Sequence, residues 1–184
     1  SAGEDRRGRV DTASLERTVR QLIRTWADLV EEGLERVRPP EVASDLARRY
    51  AKGFDPEYRA ATSPDTAVAD ILELEAMVTE GRNTSVSLSN RPANLPVAGV
   101  TGATELKVSL RGERLVLSDF MPILEDLGLT VIAMNPFEVR GDAGTAAMIY
   151  VFAVQDGDRR PLDIDACGDL LCETVLATRA GDAV

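Results

Sequence analysis

The sequence contains no histidine. Histidine titrates nearest neutrality and is the commonest metal ligand, so its absence removes the most frequent general base and a frequent zinc or copper ligand. Lysine is almost as scarce, with only Lys52 and Lys107, and neither has neighbours in sequence that read as activating. Cysteine is limited to Cys167 and Cys172. Five residues apart on a helix, they project in different directions, which argues against an intrahelical disulfide and leaves two buried thiols of a reducing compartment. Tryptophan occurs once, as Trp26, which reads as a core or interface anchor. No apolar run is long enough to cross a bilayer and no secretory pattern opens the chain, so a cytoplasmic location without membrane contact is expected. The chain starts Ser1-Ala2-Gly3 rather than with methionine, which reads as a processed chain or an excised piece of a longer one.

Net charge is −10, and such a field repels phosphates, so no nucleic-acid partner is expected. The pairs Arg6-Arg7, Arg48-Arg49 and Arg159-Arg160 read as solvated surface. So do Glu31-Glu32, Glu73 and Glu75, with the carboxylates scattered over helix surfaces. Asp163, Asp165 and Gly168 fit the first, third and sixth places of a calcium loop. Cys167 at the fifth and Thr174 at the twelfth do not, and the acids suit a helix N-terminus instead. The glycines near Gly99 and Gly102 form neither a dinucleotide fingerprint nor a P-loop. Nothing assembles a nucleophile, its base and an orienting group, and no catalytic, metal or cofactor-binding residue is assigned.

What is present is a core: 44% of residues are hydrophobic. The stretch Leu117–Val139 organises it. Ser118 or Asp119 can cap a helix, Pro122 then falls in its first turn, and Phe120, Ile123, Leu124 and Leu127 make one apolar face. Gly128 fits the left-handed residue that closes the helix, and Leu129–Met134 follows as a strand. Before it, 1–82 reads as a helical segment. A long amphipathic helix spans Asp11 to Val37, through Leu15, Val19, Leu22, Ile23 and Trp26. Shorter helices follow from Glu41, from Phe54-Asp55-Pro56, and from Ser63-Pro64, where Ser63 caps and Pro64 takes the first position. From residue 83 to 184 the pattern is strand, strand, helix, strand, strand, helix. Leu106, Val108 and Leu110 point inward and Lys107 and Ser109 outward, while 146–154 is apolar almost throughout.

The stretch 106–139, LKVSLRGERLVLSDFMPILEDLGLTVIAMNPFEV, with YRAATSP (58–64) and DILELEAM (70–77), resembles the N-terminal ACT-like region of the large bacterial NAD-specific glutamate dehydrogenases. The resemblance covers roughly 45–155. It implies an α+β, ferredoxin-like domain: a four-stranded antiparallel sheet with two helices on one face, preceded by the helical segment. It also implies a regulatory or assembly role within a glutamate-catabolising parent enzyme. The NAD site and catalytic residues of that parent lie elsewhere, so no cofactor is expected in this chain and no reduction of NAD with glutamate. The partners implied are a small amino-acid effector and other domains or subunits, in a homo-oligomer. A helix N-terminus presents free amides and favours carboxylates, so the candidate effector site is Arg111, Leu117, Ser118, Asp119 and Phe120. The alternative is a structural oligomerisation module without a ligand.

The ACT pattern ends in a strand that has no room after a last helix reaching Ala180. The alternating segment 84–89 is therefore expected to take its place, in the order 84–89, 105–110, 146–154, 129–138. Pro136 lacks an amide and belongs on an edge, where this order puts it.

Overall fold

The structure, a computed structural model, describes residues 24–90, 102–140 and 146–181. Four helices come first. Helix α1 is Trp26–Glu35, and its first turn is closed by a reciprocal box in which the Asp28 amide donates to the Thr25 hydroxyl and the Thr25 amide to the Asp28 carboxylate. Thr25 itself is extended, with φ −81° and ψ 162°, so this helix starts at Trp26 and does not continue one running from Asp11. The expected positions Leu15, Val19, Leu22 and Ile23 lie outside the described residues. Helix α2 is Pro40–Tyr50 and the short α3 is Pro56–Ala61, capped by Asp55. Helix α4 is Pro64–Thr79, where Ser63 accepts from the Thr66 amide as its sequence suggests, and Gly81 leaves the helix at φ +68°.

The sheet follows: β1 Thr84–Ser89, β2 Thr104–Arg111, β3 Thr130–Arg140 and β4 Ala146–Gln155, with α5 Leu117–Asp126 between β2 and β3 and α6 Ile164–Gly181 after β4. The order is β1-β2-β4-β3 and every neighbouring pair is antiparallel. Segment 84–89 therefore flanks β2, and Pro136 sits on the edge strand. A register shift between Val131 and Ala133 places Ile132 in a bulge of that edge.

Helices α5 and α6 cover one face. Phe120, Leu124 and Val175 pack there on Leu106, Val108, Leu110, Tyr150, Phe152 and Val154, with Leu127 and Leu171 at the margin. The cap of α5 differs from expectation. Its N-cap is Val116, which offers no side-chain acceptor, so Ser118 and Asp119 lie inside the first turn and Pro122 inside the helix.

The opposite face is not open to water. Helices α1 to α4 lie over it, and Phe137, Val139, Ala147, Ile149 and Val151 share one buried cluster with Val30, Leu34, Leu46, Tyr58, Ile71 and Leu74. Trp26, Phe54, Tyr58 and Phe137 form its aromatic centre, with Phe54 and Tyr58 stacked at 4.2 Å. Gly53 permits the closest approach: its carbonyl accepts from the Arg140 amide at 3.0 Å, and a Cβ there would meet the Arg140 carbonyl oxygen at 1.6 Å.

Candidate functional site

On the helical side, the sheet surface is divided. The half made by β3 and β4 is apolar and closed, whereas the half made by β1 and β2 is polar. There the register places Ser85 opposite Ser109, Ser87 opposite Lys107 and Ser89 opposite Glu105. Alternation makes these the residues expected to face solvent. Ser87 is exposed, but Ser85 is buried on β1 and β2 is buried at Glu105 and Ser109 beside α4, with the Lys107 side chain only 12% exposed.

Asp70 is the residue that meets them. It occupies the apolar stripe of α4 with Ala67, Ile71, Leu74 and Met77, and so enters the interior. Lys107 Nζ lies 2.7 Å from Asp70 Oδ1 and 3.5 Å from Glu105 Oε1. The other Asp70 oxygen accepts from the Tyr58 hydroxyl at 2.5 Å. The order Tyr58, Asp70, Lys107, Glu105 runs from the aromatic core to the polar face. Burial pulls the Lys107 ammonium down, but Asp70 and Glu105 outweigh it and hold its pKa above the ordinary value. Burial raises Glu105, and Lys107 offsets only part of this. Tyr58 is also raised, first by burial and then by the Asp70 charge. Its hydroxyl is thus a fixed donor.

Between α4 and the two strands opens a cleft of about 540 Å³, lined by Asp70, Ser85, Ser87, Glu105, Lys107 and Ser109, with Asp65, Glu73 and Arg82 at its rim. A neighbouring network joins α2 to α4. Arg49 donates to both Glu75 oxygens at 2.8 and 2.9 Å, and the Tyr50 hydroxyl to Glu75 Oε1. Glu75, Arg49 and Lys107 are therefore not the solvated or uneventful residues that the sequence suggests. The signal that identifies the cluster in sequence is Asp70, a carboxylate at core spacing in a helix.

The expected effector residues are placed as follows. Arg111 ends β2 on the helical side, donating at 3.4 Å to the Met77 and Arg82 carbonyls, with its Nε buried and without a partner. Leu117, Ser118, Asp119 and Phe120 open α5 on the other face. Ser118 donates to Asp119 at 3.1 Å, both are exposed, and Phe120 is buried against Phe152. The fold thus groups these four and separates Arg111 from them. The Tyr150 hydroxyl accepts from the Leu115 amide at 3.0 Å, which fixes the turn entering α5.

Cys167 and Cys172 are free and half-buried rather than fully buried. Asp163 accepts from the Ala166 amide at the start of α6, consistent with a capping role. Among the described residues no group of acids and cysteines gathers as a metal site, and no helix is long and apolar enough to cross a membrane.

Two family models match this chain: the glutamate dehydrogenase helical motif 2 over residues 34–77, and the glutamate dehydrogenase ACT3 domain over residues 94–167. The NAD-specific glutamate dehydrogenase of Pseudomonas aeruginosa is 31% identical over 178 residues, which is 95% of this chain and 10% of that protein. The chain belongs to the family of NAD-specific glutamate dehydrogenases. Family members so named from Mycobacterium tuberculosis and Halomonas elongata are 30% and 34% identical, over 76% and 71% of this chain and 8% of each relative. The chain thus spans about a tenth of the length of these glutamate dehydrogenases. Tyr58 and Asp70 fall within the helical-motif match and Glu105 and Lys107 within the ACT3 match, so the buried chain of charges is the seam between the two.

Proposed function

We propose that this chain is a non-catalytic regulatory and assembly segment of a large NAD-dependent glutamate dehydrogenase, whose other parts bind NAD and deaminate L-glutamate oxidatively to 2-oxoglutarate. The observation that supports this reading is the union of an ACT-like sheet with a helical motif through the buried Asp70–Lys107 ion pair. That pair, in this reading, carries a displacement of the sheet to the helices. In this reading a small amino acid docks its carboxylate at the start of α5, by the amides of Leu117 and Ser118, and the shift passes to other domains or subunits of a cytoplasmic homo-oligomer. The test is glutamate-dependent NAD reduction by the full-length enzyme against a panel of amino acids, with the 184-residue chain assayed beside it. At least one amino acid should change the rate of the full-length enzyme, and the chain alone should be inactive. Turnover by the chain itself, or indifference of the full-length enzyme to every amino acid, refutes the proposal.

A second reading, a purely structural oligomerisation module without a ligand, is favoured by exposed apolar side chains at Val116, Leu117, Ile132 and Leu170. Calorimetry of the chain with amino acids, set beside sedimentation over a range of concentrations, separates the two. Saturable heat supports the first, and dimerisation without binding supports the second.

A further inference from the structure

We propose that the outer edge of β1 is a pairing surface for a second copy of this chain, joined to it antiparallel about a twofold axis at Val86. This interface serves the assembly role proposed above and rests on it.

The two edges of the sheet are built differently. β3 carries the features that keep an edge from pairing: Pro136, the bulge between Val131 and Ala133, and the segment Gly53–Asp55 laid along it. There the Arg140 amide already donates to the Gly53 carbonyl at 3.0 Å and the Glu138 amide to Asp55 at 3.3 Å. β1 has none of these. Its sequence, TSVSLS, holds no charge and no proline, and it pairs with β2 without a register shift. It also falls between the two matched family segments, 34–77 and 94–167.

The register fixes which main-chain groups are free. The Arg111 amide donates to the Asn83 carbonyl at 2.9 Å, so Asn83 turns its main chain toward β2, and by alternation so do Ser85, Ser87 and Ser89. The N–H and C=O groups of Thr84, Val86 and Leu88 therefore point away from β2. Among the described residues none of them has a hydrogen-bond partner. The space beside them is open. Ser87 and Val86, on opposite faces of β1, both line the cleft of about 540 Å³, together with Leu176 of α6, so the cleft reaches round the edge.

A second copy fits this edge in shape and in charge. An axis at Val86 opposes Val86 to Val86 and Thr84 to Leu88, so the outward groups of both strands pair. No like charges meet along the strands, although the chain carries −10 overall. α4 runs antiparallel to β1, with Asp70 at Lys107 and Met77 at Arg111. Arg82, just before β1, and Asp65, at the start of α4, thus stand at opposite ends of the cleft. The axis brings Arg82 of each copy to the Asp65 end of the other, a complementary pairing at both rims.

The experiment is sedimentation of the 184-residue chain over a range of concentrations, with hydrogen exchange of its amides measured on either side of the dimerisation midpoint. A dimer is expected, with the amides of Thr84, Val86 and Leu88 slowed in it. Val86→Pro removes an amide that β2 does not use, and should weaken dimerisation at least about tenfold, because the bonds exchanged across the axis are lost. Thr84→Pro, with circular dichroism on both variants, supplies a second reading should the first unfold, and is expected to weaken dimerisation severalfold. A dimer whose edge amides exchange as fast as in the monomer, or one that both folded variants form unchanged, overturns the edge and leaves the assembly role standing. A chain that stays monomeric up to about 1 mM overturns the second copy, and slowed edge amides in the full-length enzyme would then assign the edge to another part of that enzyme. The amino-acid response tested above is independent of each outcome, so the two proposals fail separately.

Discussion

Lys107 is buried between two carboxylates, and the consequences of changing it follow from that position. Lys107→Met leaves Asp70 and Glu105 without their shared cation, and removing one partner of a buried ion pair costs about 3–5 kcal/mol. Urea unfolding of the variant should show a loss of this order, and a loss below about 1 kcal/mol would mean that water already solvates the pair. Glu105 gives a pH signature. Its folded pKa is raised above 4.5, first by burial, so its contribution to stability is fully present below 4.5 and is lost as pH rises through the raised value. Glutamine does not titrate. The stability of Glu105→Gln relative to the parent should therefore be least favourable below pH 4.5 and improve as pH rises to neutrality. A difference independent of pH contradicts the assignment. Glu75 behaves oppositely: burial raises it, but the Arg49 guanidinium and the Tyr50 hydroxyl outweigh this and lower it, so its contribution is present above 4.5 and fades as pH falls.

Among the elements, α4 was the most legible, because Ser63 and Pro64 supply a start and Gly81 a stop, all of them local devices. The N-cap of α5 lies two or three residues before the one expected at Ser118 or Asp119. Ser118 and Asp119 are good capping types, but the turn held by the Leu115 amide on Tyr150, 35 residues away in sequence, starts the helix at Leu117 with Val116 as its cap. Val116 is exposed, and while its carbonyl accepts from the Asp119 and Phe120 amides, its side chain offers no acceptor, so Val116→Ser should stabilise the chain by about 1 kcal/mol, read as a raised melting temperature. A neutral or negative effect would show that the amides at the start of the helix are already served. In β2, alternation gave the two faces correctly, yet the polar face was assigned to solvent. Period-two patterning says which side chains share a face, not what covers that face.

Among the described residues two buried clusters lie on opposite faces of one sheet, and Ile149 and Val151 of β4 belong to the helical one, whereas Tyr150 and Phe152 belong to the other. A division at residues 82 and 83 therefore separates parts that bury a common core, and we propose that they unfold together. Trp26, the only tryptophan, packs on Phe54 and Tyr58 and reports on the helical part by fluorescence, while far-ultraviolet circular dichroism reports on the whole. The two denaturation curves should coincide. Ile149→Ala, which opens a cavity under the helices, should shift both by about 2–5 kcal/mol. Separate transitions, or a shift in one probe alone, would reveal two independent units.

Sequence by itself determined the strand order. Pro136 cannot donate in a central ladder and belongs at an edge, the 146–154 run has no polar face to give to solvent and suits the middle, and 84–89 directly precedes β2 in the chain and pairs with it. These are local constraints. Only the tertiary structure decided that the four preceding helices close the back of that sheet, because an amphipathic helix specifies an apolar face and not its partner. From that closure come the burial of Glu105 and Lys107 and their meeting with Asp70, which lies 37 residues from Lys107 in the chain. The water that the packed helices exclude raises Glu105, whereas the two carboxylates keep Lys107 charged against that same burial.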